Sequence, residues 1–513
     1  MAAFLLFAAC LFPGDINTVT AVIGYNAHPV AFYIGPALYL LGDGLVPGID
    51  FMPQYGIGIG AFFSLFLRPT AQATVANTVW VTAGLSLFYF ATAFLFLRRL
   101  YGSQGWSLAV VLFALILNFH TQGMGNFMVY GDPSAWPVRY PFLFVFCWLF
   151  AKAADQRGLR ALLLAGAASG LCLFWNTETG FYTLVSGAAG TVLLGGRFRR
   201  AIGLCSAFVG SALAAFVLLA FTVYGPGVFQ VGFVKGLFDA FRPYAAGLGA
   251  WPVGWDLPLT LVYGVTSQIG AFASMGMAAA VCLRGEAGAD RRTGVSLFLL
   301  SMLGACLLLK WVNMSIDALW HVNALPVVAV FGWWALAAFR RLELIGPVFW
   351  SRMAQTGAVM AMVLFLWFVQ DSRNPSLYGL QAFRIFPSVL LRSVVDMPRH
   401  PWPAGLEPSD KDIALIKRFS AGHEPVAIFS IHDWVFLLAA ERPPKLPWLP
   451  SPTTFFMNDV ALRGTGPIFV GDGELEMEMV CSGRCLRDDL RAHLAAWYQP
   501  GPKGGRLQVY LRK

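Results

Sequence analysis

Apolar runs recur along the first 370 residues of this chain, many close to the length of a helix that crosses a bilayer. They fall at 1–13, 74–97, 105–121, 139–154, 160–177, 179–195, 201–223, 258–283, 294–310, 320–339 and 350–370. A hydrocarbon core requires about 20 such residues per helical crossing. The chain is 57% hydrophobic and only 12% charged, too little charge to cover a soluble protein of 513 residues. The expected fold class is therefore an α-helical polytopic membrane protein with about 11 transmembrane helices. The first run is short, ends at Phe12 and lacks the basic segment of a secretory signal. A first helix that is tilted, thinly anchored or truncated is expected there.

The connections between the runs test this count. One alternate set carries Arg98, Arg99, Lys152, Arg157, Arg160, Arg197, Arg199, Arg200, Arg284, Arg291, Arg292, Arg340, Arg341 and Arg352, 14 of the 19 basic residues up to position 370. The other set holds only Arg68, Arg139, Lys235, Arg242 and Lys310. By the positive-inside rule the N-terminus is cytoplasmic and the C-terminus outside. The formal net charge of +9 is thus a matter of topology, and no nucleic-acid partner is expected. Acidic residues divide the other way. Asp15, Asp43, Asp50, Asp132, Glu178, Asp239, Asp256 and Asp317 lie outside, against Asp155, Glu286, Asp290 and Glu343 inside. Carboxylates at membrane ends are costly unless they face water, a partner or a site, so any chemistry belongs to the outer face.

Two units are expected: a membrane module over 1–370, with a long first outer loop at 14–73, and a small outer α/β domain over 371–513. In the second unit the pattern reads helix 409–420, strand 425–431, helix 433–440, strand 467–471, helix 485–497 and strand 506–512. The outer loops 14–73 and 224–257 read as short amphipathic helices on the membrane surface, the latter with Trp251 and Trp255 as anchors. The run Gly56-Ile57-Gly58-Ile59-Gly60 reads as a break in any helix. Six cysteines fall in apolar runs and read as inert buried thiols. Cys481 and Cys485 lie in the polar part, as a local disulfide or as two free thiols. They have no second Cys or His pair to make a zinc site.

The stretch 24–60 is the most informative: Gly24-Tyr25-Asn26-Ala27-His28, Gly35-Pro36-Ala37, Leu41-Gly42-Asp43-Gly44, Pro47-Gly48-Ile49-Asp50 and Gln54-Tyr55-Gly56. It resembles the first outer loop of the GT-C superfamily, the multi-spanning glycosyltransferases that use lipid-phosphate-linked sugars. In that pattern Asp15 matches the acidic residue after the first helix, and Asp50 with Tyr55-Gly56 matches the later Asp and Tyr-Gly pair. The resemblance extends to the whole plan, including an outer C-terminal domain. It implies an inverting transfer from a polyprenyl-phosphate-linked sugar donor to a glycan, lipid or protein acceptor, at the outer face of a bacterial inner (plasma) membrane. No cofactor is required by it, although the outer carboxylates leave room for a divalent metal.

Such a transfer needs a carboxylate as general base and as partner for the cationic anomeric carbon. Asp15 is the first candidate, with a cap for a helix starting near Asn17 as its plain alternative. Asp50 is the second, against a turn residue after Pro47-Gly48. His28 could orient an acceptor or a carboxylate, or simply sit satisfied at the interface, and Tyr55 belongs to the matched motif. The departing lipid phosphate needs a cation. Arg139 and Lys310 stand at outer helix ends, where snorkelling is the alternative for each. Some superfamily members carry an Arg-Ser pair near the late helix junction. Here Trp311-Val312-Asn313-Met314-Ser315 has Met in its place, which turns attention to Lys310 and His321. Glu178, between two apolar runs, faces a cavity or caps the following helix. Two rivals stand beside the enzyme: a transporter or lipid flippase, and a non-enzymatic envelope assembly protein. A transporter usually places charges midway along helices and shows paired broken segments, neither of which is evident here.

Overall fold

A computed structural model describes residues 3–5, 7, 27–42, 45–51, 56–120, 137–156, 158–239, 258–283, 289–314, 325–345, 407–420, 424–430, 433–444, 466–472, 480–481 and 484–513. The loop 14–73 supplies α1 (Ala27–Leu38) and α2 (Ile57–Ser64). The membrane part continues with α3 (Ala71–Tyr101), α4 (Gln104–His120), α5 (Leu143–Gln156), α6 (Leu159–Trp175), α7 (Thr177–Gly195), α8 (Phe198–Tyr224), the short α9 (Val231–Asp239), α10 (Pro258–Leu283), α11 (Ala289–Met314) and α12 (Leu325–Ile345).

Nine of the eleven apolar runs therefore form helices among the described residues. The run 350–370 lies outside them, and 1–13 is described only at positions 3–5 and 7. Among the described residues three helices are long and apolar enough to cross a membrane: Ala71–Tyr101, Phe198–Phe229 and Arg291–Leu308. Others are shorter, α5 with 14 residues and α6 with 17. At about 1.5 Å per residue a 14-residue helix rises only about 21 Å, against a core of about 30 Å.

The basic ends of the helices gather at one end of the bundle. Asp155 of α5 accepts from Arg99 of α3 at 2.9 Å and faces Arg292 of α11 at 3.6 Å. Arg291 donates to the carbonyls of Leu193 and Leu194 in the last turn of α7, and Arg340 of α12 donates to the carbonyl of Tyr101. The final carbonyls of a helix have no partner inside it, so guanidinium donors from neighbouring helices satisfy both the geometry and the dipole. Tyr101 and Trp106 also donate from their side chains to the carbonyls of Ala329 and Gly332, at 2.5 and 2.8 Å, and tie α3 and α4 to α12.

This gathering gives the topology a simple test. A cysteine in place of Lys411 should be labelled in intact cells by a membrane-impermeant maleimide, and one in place of Arg199 should not, both being exposed positions. The reverse pattern would overturn the orientation and every outer-face assignment with it.

The expected break at Gly56–Gly60 is corrected by α2, which contains Gly58 and Gly60. Close approach outweighs their low helix propensity. A Cβ on Gly58 would stand 2.7 Å from the ring of Phe174, and one on Gly60 would stand 3.0 Å from Pro36.

Beyond residue 406 the described elements are α13 (Asp410–Phe419), β1 (Ala427–Phe429), α14 (Asp433–Ala440), β2 (Ile468–Gly471), β3 (Val480–Cys481), β4 (Arg484–Cys485), α15 (Leu486–Trp497), β5 (Tyr498–Lys503) and β6 (Leu507–Arg512). A four-stranded mixed sheet runs β1-β2-β6-β5, with β1 and β2 parallel and the other pairs antiparallel. β3 and β4 pair Val480 with Cys485 and Cys481 with Arg484. The cysteine side chains lie outside the described residues.

This unit docks on the 14–73 loop. Trp434 to Leu438 of α14 join the bundle core with Tyr33, Ile34 and Leu38 of α1. The Gln72 backbone N–H donates to Glu407 at 3.3 Å.

One buried carboxylate holds the unit together. Asp412 accepts from the backbone N–H groups of Gly505, Arg506 and Leu507 at 2.8, 2.8 and 2.9 Å through one oxygen. Its other oxygen completes a capping box with Ser409. Burial pushes this carboxyl up, but the Ser409 hydroxyl and the backbone donors outweigh it and hold it below the ordinary carboxylate range. The stability it adds is then complete above about pH 4, its unfolded value, and is lost as pH falls through the lower folded value. Asp412→Asn should cost about 3 kcal/mol, read as faster limited proteolysis of the C-terminal part at pH 7. An unchanged proteolysis rate would remove the carboxylate from this role.

Candidate functional site

At the end of the bundle opposite the arginine cluster, two corners meet. The first is the 3₁₀ turn Pro137–Arg139 leading into α5; the second is Trp175-Asn176-Thr177-Glu178, between α6 and α7. Trp175 donates its indole N–H to the carbonyl of Val138 at 2.7 Å. That bond brings Arg139 and Glu178 into a direct ion pair. Tyr182, one turn along α7, donates its hydroxyl to the other Glu178 oxygen at 2.8 Å. Arg139 is buried, whereas Glu178 keeps 24% of its side chain exposed. The pair is therefore closed on the arginine side and open on the carboxylate side.

Capping of α7 falls to a different residue than Glu178. Asn176 accepts from the Thr179 backbone N–H at 2.8 Å and fills the N-cap. Glu178, inside the first turn, complements the helix dipole and engages Arg139. Sequence reasoning missed Tyr182, although its position four residues after Glu178 puts both on one helix face.

The 14–73 loop reaches the same corner. Gly56, at φ 119°, lies against the Trp175 carbonyl, where a Cβ would stand 2.4 Å away. Tyr224 of α8 closes the other side by donating its hydroxyl to the carbonyl of Ile57 at 2.7 Å. Only a glycine allows the loop this approach.

Asp50 lies further up the loop, exposed, in a turn over residues 46–51. Its Oδ2 accepts from the backbone N–H of Val46 at 2.7 Å, so it stabilises its own turn as the plain alternative requires. Phe51, at the end of that turn, stacks on Tyr39 with ring centroids 4.3 Å apart.

The structure thus joins Arg139 with Glu178 and ties Asp50 into its own 46–51 turn. His28 lies on α1 and Lys310 on α11, with both side chains outside the described residues. Asp15, Tyr55 and His321 lie outside the described residues altogether, as does Asp43. Among the described residues no three His, Cys, Asp or Glu side chains converge as metal ligands.

No protein-family model and no curated protein sequence matches the chain. Among solved structures it is similar to the Archaeoglobus fulgidus oligosaccharyltransferase. The apo form gives 13% identity and a TM-score of 0.46, covering 100% of this chain and 74% of that one. The complex with Zn and sulfate gives 11% and 0.40, covering 97% and 73%. The form tethered to an acceptor peptide containing the NVT sequon gives 11% and 0.40, covering 100% and 74%. These likenesses are too remote to carry any residue's role from one chain to the other.

Proposed function

We propose that the chain is a GT-C-type membrane glycosyltransferase that moves a sugar from a polyprenyl-phosphate donor to an acceptor at the outer face of a bacterial inner membrane. The observation that supports it best is the docking of Gly56 on Trp175 and Asn176. It puts the backbone at Gly56 against the corner that carries the half-open Arg139–Glu178 pair.

In the proposed reaction the acceptor oxygen bonds to the anomeric carbon as the bond from that carbon to the phosphate oxygen breaks. The electron pair leaves with the lipid phosphate, and the acceptor proton passes to a carboxylate. Asp15 or Asp50 serves as that base. Arg139, Lys310 or His321 offsets the phosphate charge, with His28 and Tyr55 on the acceptor side. For Arg139 to do so, phosphate must compete with Glu178 for the guanidinium, which the exposure on the Glu178 side permits. The outer carboxylates Asp50 and Glu178 are hard oxygen donors of the type a divalent metal takes, though the described ones do not form a set.

The test is transfer by the purified full chain in nanodiscs, supplied with lipid-linked sugars extracted from its own host, as Asp15 and Asp50 are changed to Asn in turn. Loss of transfer with retained donor binding supports the reading. Unchanged turnover when both are changed together would take the base role from both carboxylates, and no transfer by the wild-type chain would pass it to one of the two rivals.

A further inference from the structure

We propose that α9 is a lipid-seated helix, lying in the headgroup region at the Asp50 end of the bundle, and that it sets the depth of Asp50 at the membrane surface. This holds whether or not the chain transfers sugar.

The membrane-facing surface can be followed onto α9 without a gap. α8 is peripheral: only 22% of its most apolar stretch is buried inside the protein. Val217, Leu218, Phe221 and Val223 face outward along its last two turns. The Phe221 ring meets that of Phe229, 5.7 Å away, in the 3₁₀ turn Gly225–Phe229 that leads to α9. Phe229 is 66% exposed, and beyond it Val231 and Val234 are 86% and 53% exposed. The opposite face of α9 is spoken for, because Phe233 and Leu237 pack with Tyr39, Val46 and Phe51.

Exposed apolar side chains in such an unbroken patch mark an interaction surface. Its continuity with the face of α8 identifies the occupant as the bilayer that α8 crosses. Exposed Lys235, next to Val234, is placed to lift its ammonium to phosphate level as the valines enter the acyl boundary. A nine-residue helix with this division of faces is too short to cross a membrane and suited to lie on one.

α9 also grips the candidate site. Gly48, at φ 82°, lies against the Phe233 carbonyl, where a Cβ would stand 2.7 Å away. A Cβ on Gly236 would stand 1.9 Å from the Gly48 carbonyl oxygen. The 46–51 turn and α9 therefore touch backbone to backbone, with no side chain between them to give way. Ile49 lies over Gly232 and is itself exposed, so the turn adds to the same apolar patch one residue before Asp50.

The test uses the full chain in nanodiscs of phosphatidylethanolamine and phosphatidylglycerol, spin-labelled at single introduced cysteines, with identically treated wild type as background. Labels at Val231→Cys and Val234→Cys should be at least threefold more accessible to oxygen relative to a water-soluble nickel relaxant than one at Lys411→Cys. A label at Asp50→Cys should fall between the two. All four positions are exposed, so the labels leave the core undisturbed. Water-like values at Val231 and Val234 would overturn the seating. Spin–spin broadening there would assign the patch to a second copy of the chain instead. Lipid-like values at α9 with a fully water-like Asp50 would overturn the control of depth.

Discussion

Replacing Asp15 by Asn should lower transfer about 10²–10⁴-fold, the range typical of a lost general base, while donor binding stays near normal. The substitution keeps the size and much of the hydrogen bonding of the side chain and removes only the basic lone pair and charge. If Asp50 is the base, the Asp15 variant keeps its turnover and the loss moves to Asp50→Asn. The turn around Asp50 sharpens this second case. Its carboxylate already accepts from the Val46 backbone N–H, and an Asn can accept the same bond through its carbonyl oxygen. The 46–51 turn should therefore survive, leaving a loss of rate that reports chemistry and not folding.

The second large effect belongs to the Arg139–Glu178 pair. Arg139→Met removes a buried guanidinium and leaves Glu178 facing Tyr182 without its cation. Breaking a buried pair from one side costs about 3–5 kcal/mol, and the exposure of Glu178 places this case at about 3 kcal/mol. The double change Arg139→Met with Glu178→Gln removes the uncompensated charge and should recover most of that stability. Transfer then separates two roles. If the pair only braces the corner, the double variant regains both thermal stability and turnover. If Arg139 meets the lipid phosphate, the double variant is stable yet its donor KM stays at least tenfold high. A stable double variant with a normal donor KM would leave Lys310 or His321 as the cation.

The helices of the membrane part were legible because burial in lipid demands long apolar stretches, and nothing else in a sequence looks like 74–97 or 201–223. The elements that escaped did so because tertiary contact decided them. Gly58 and Gly60 argue against a helix locally, yet Phe174 and Pro36 leave no room for larger residues in α2. β5 escaped for the opposite reason. Its sequence Tyr498-Gln-Pro-Gly-Pro-Lys503 reads as a turn, and prolines are tolerated in it because it is an edge strand with an irregular register against β6.

The candidate site was legible in part. Arg139 and Glu178 stood out singly, as charges at the ends of apolar runs. Their partnership depended on the Trp175 indole reaching the Val138 carbonyl across the bundle, a contact that no local pattern encodes. Asp50 could be read equally as a base or as a turn residue, and a carboxylate that closes its own turn is compatible with both.

The most direct measurement is mass spectrometry of surface glycans and glycolipids from cells that lack the gene, complemented with the wild-type chain or with the Asp15→Asn, Asp50→Asn double variant. Loss of one sugar's mass from a surface glycan, restored by the wild type and not by the double variant, is the result expected of an outer-face glycosyltransferase. An unchanged glycan profile in all three strains would contradict it, and full restoration by the double variant would remove Asp15 and Asp50 from the reaction.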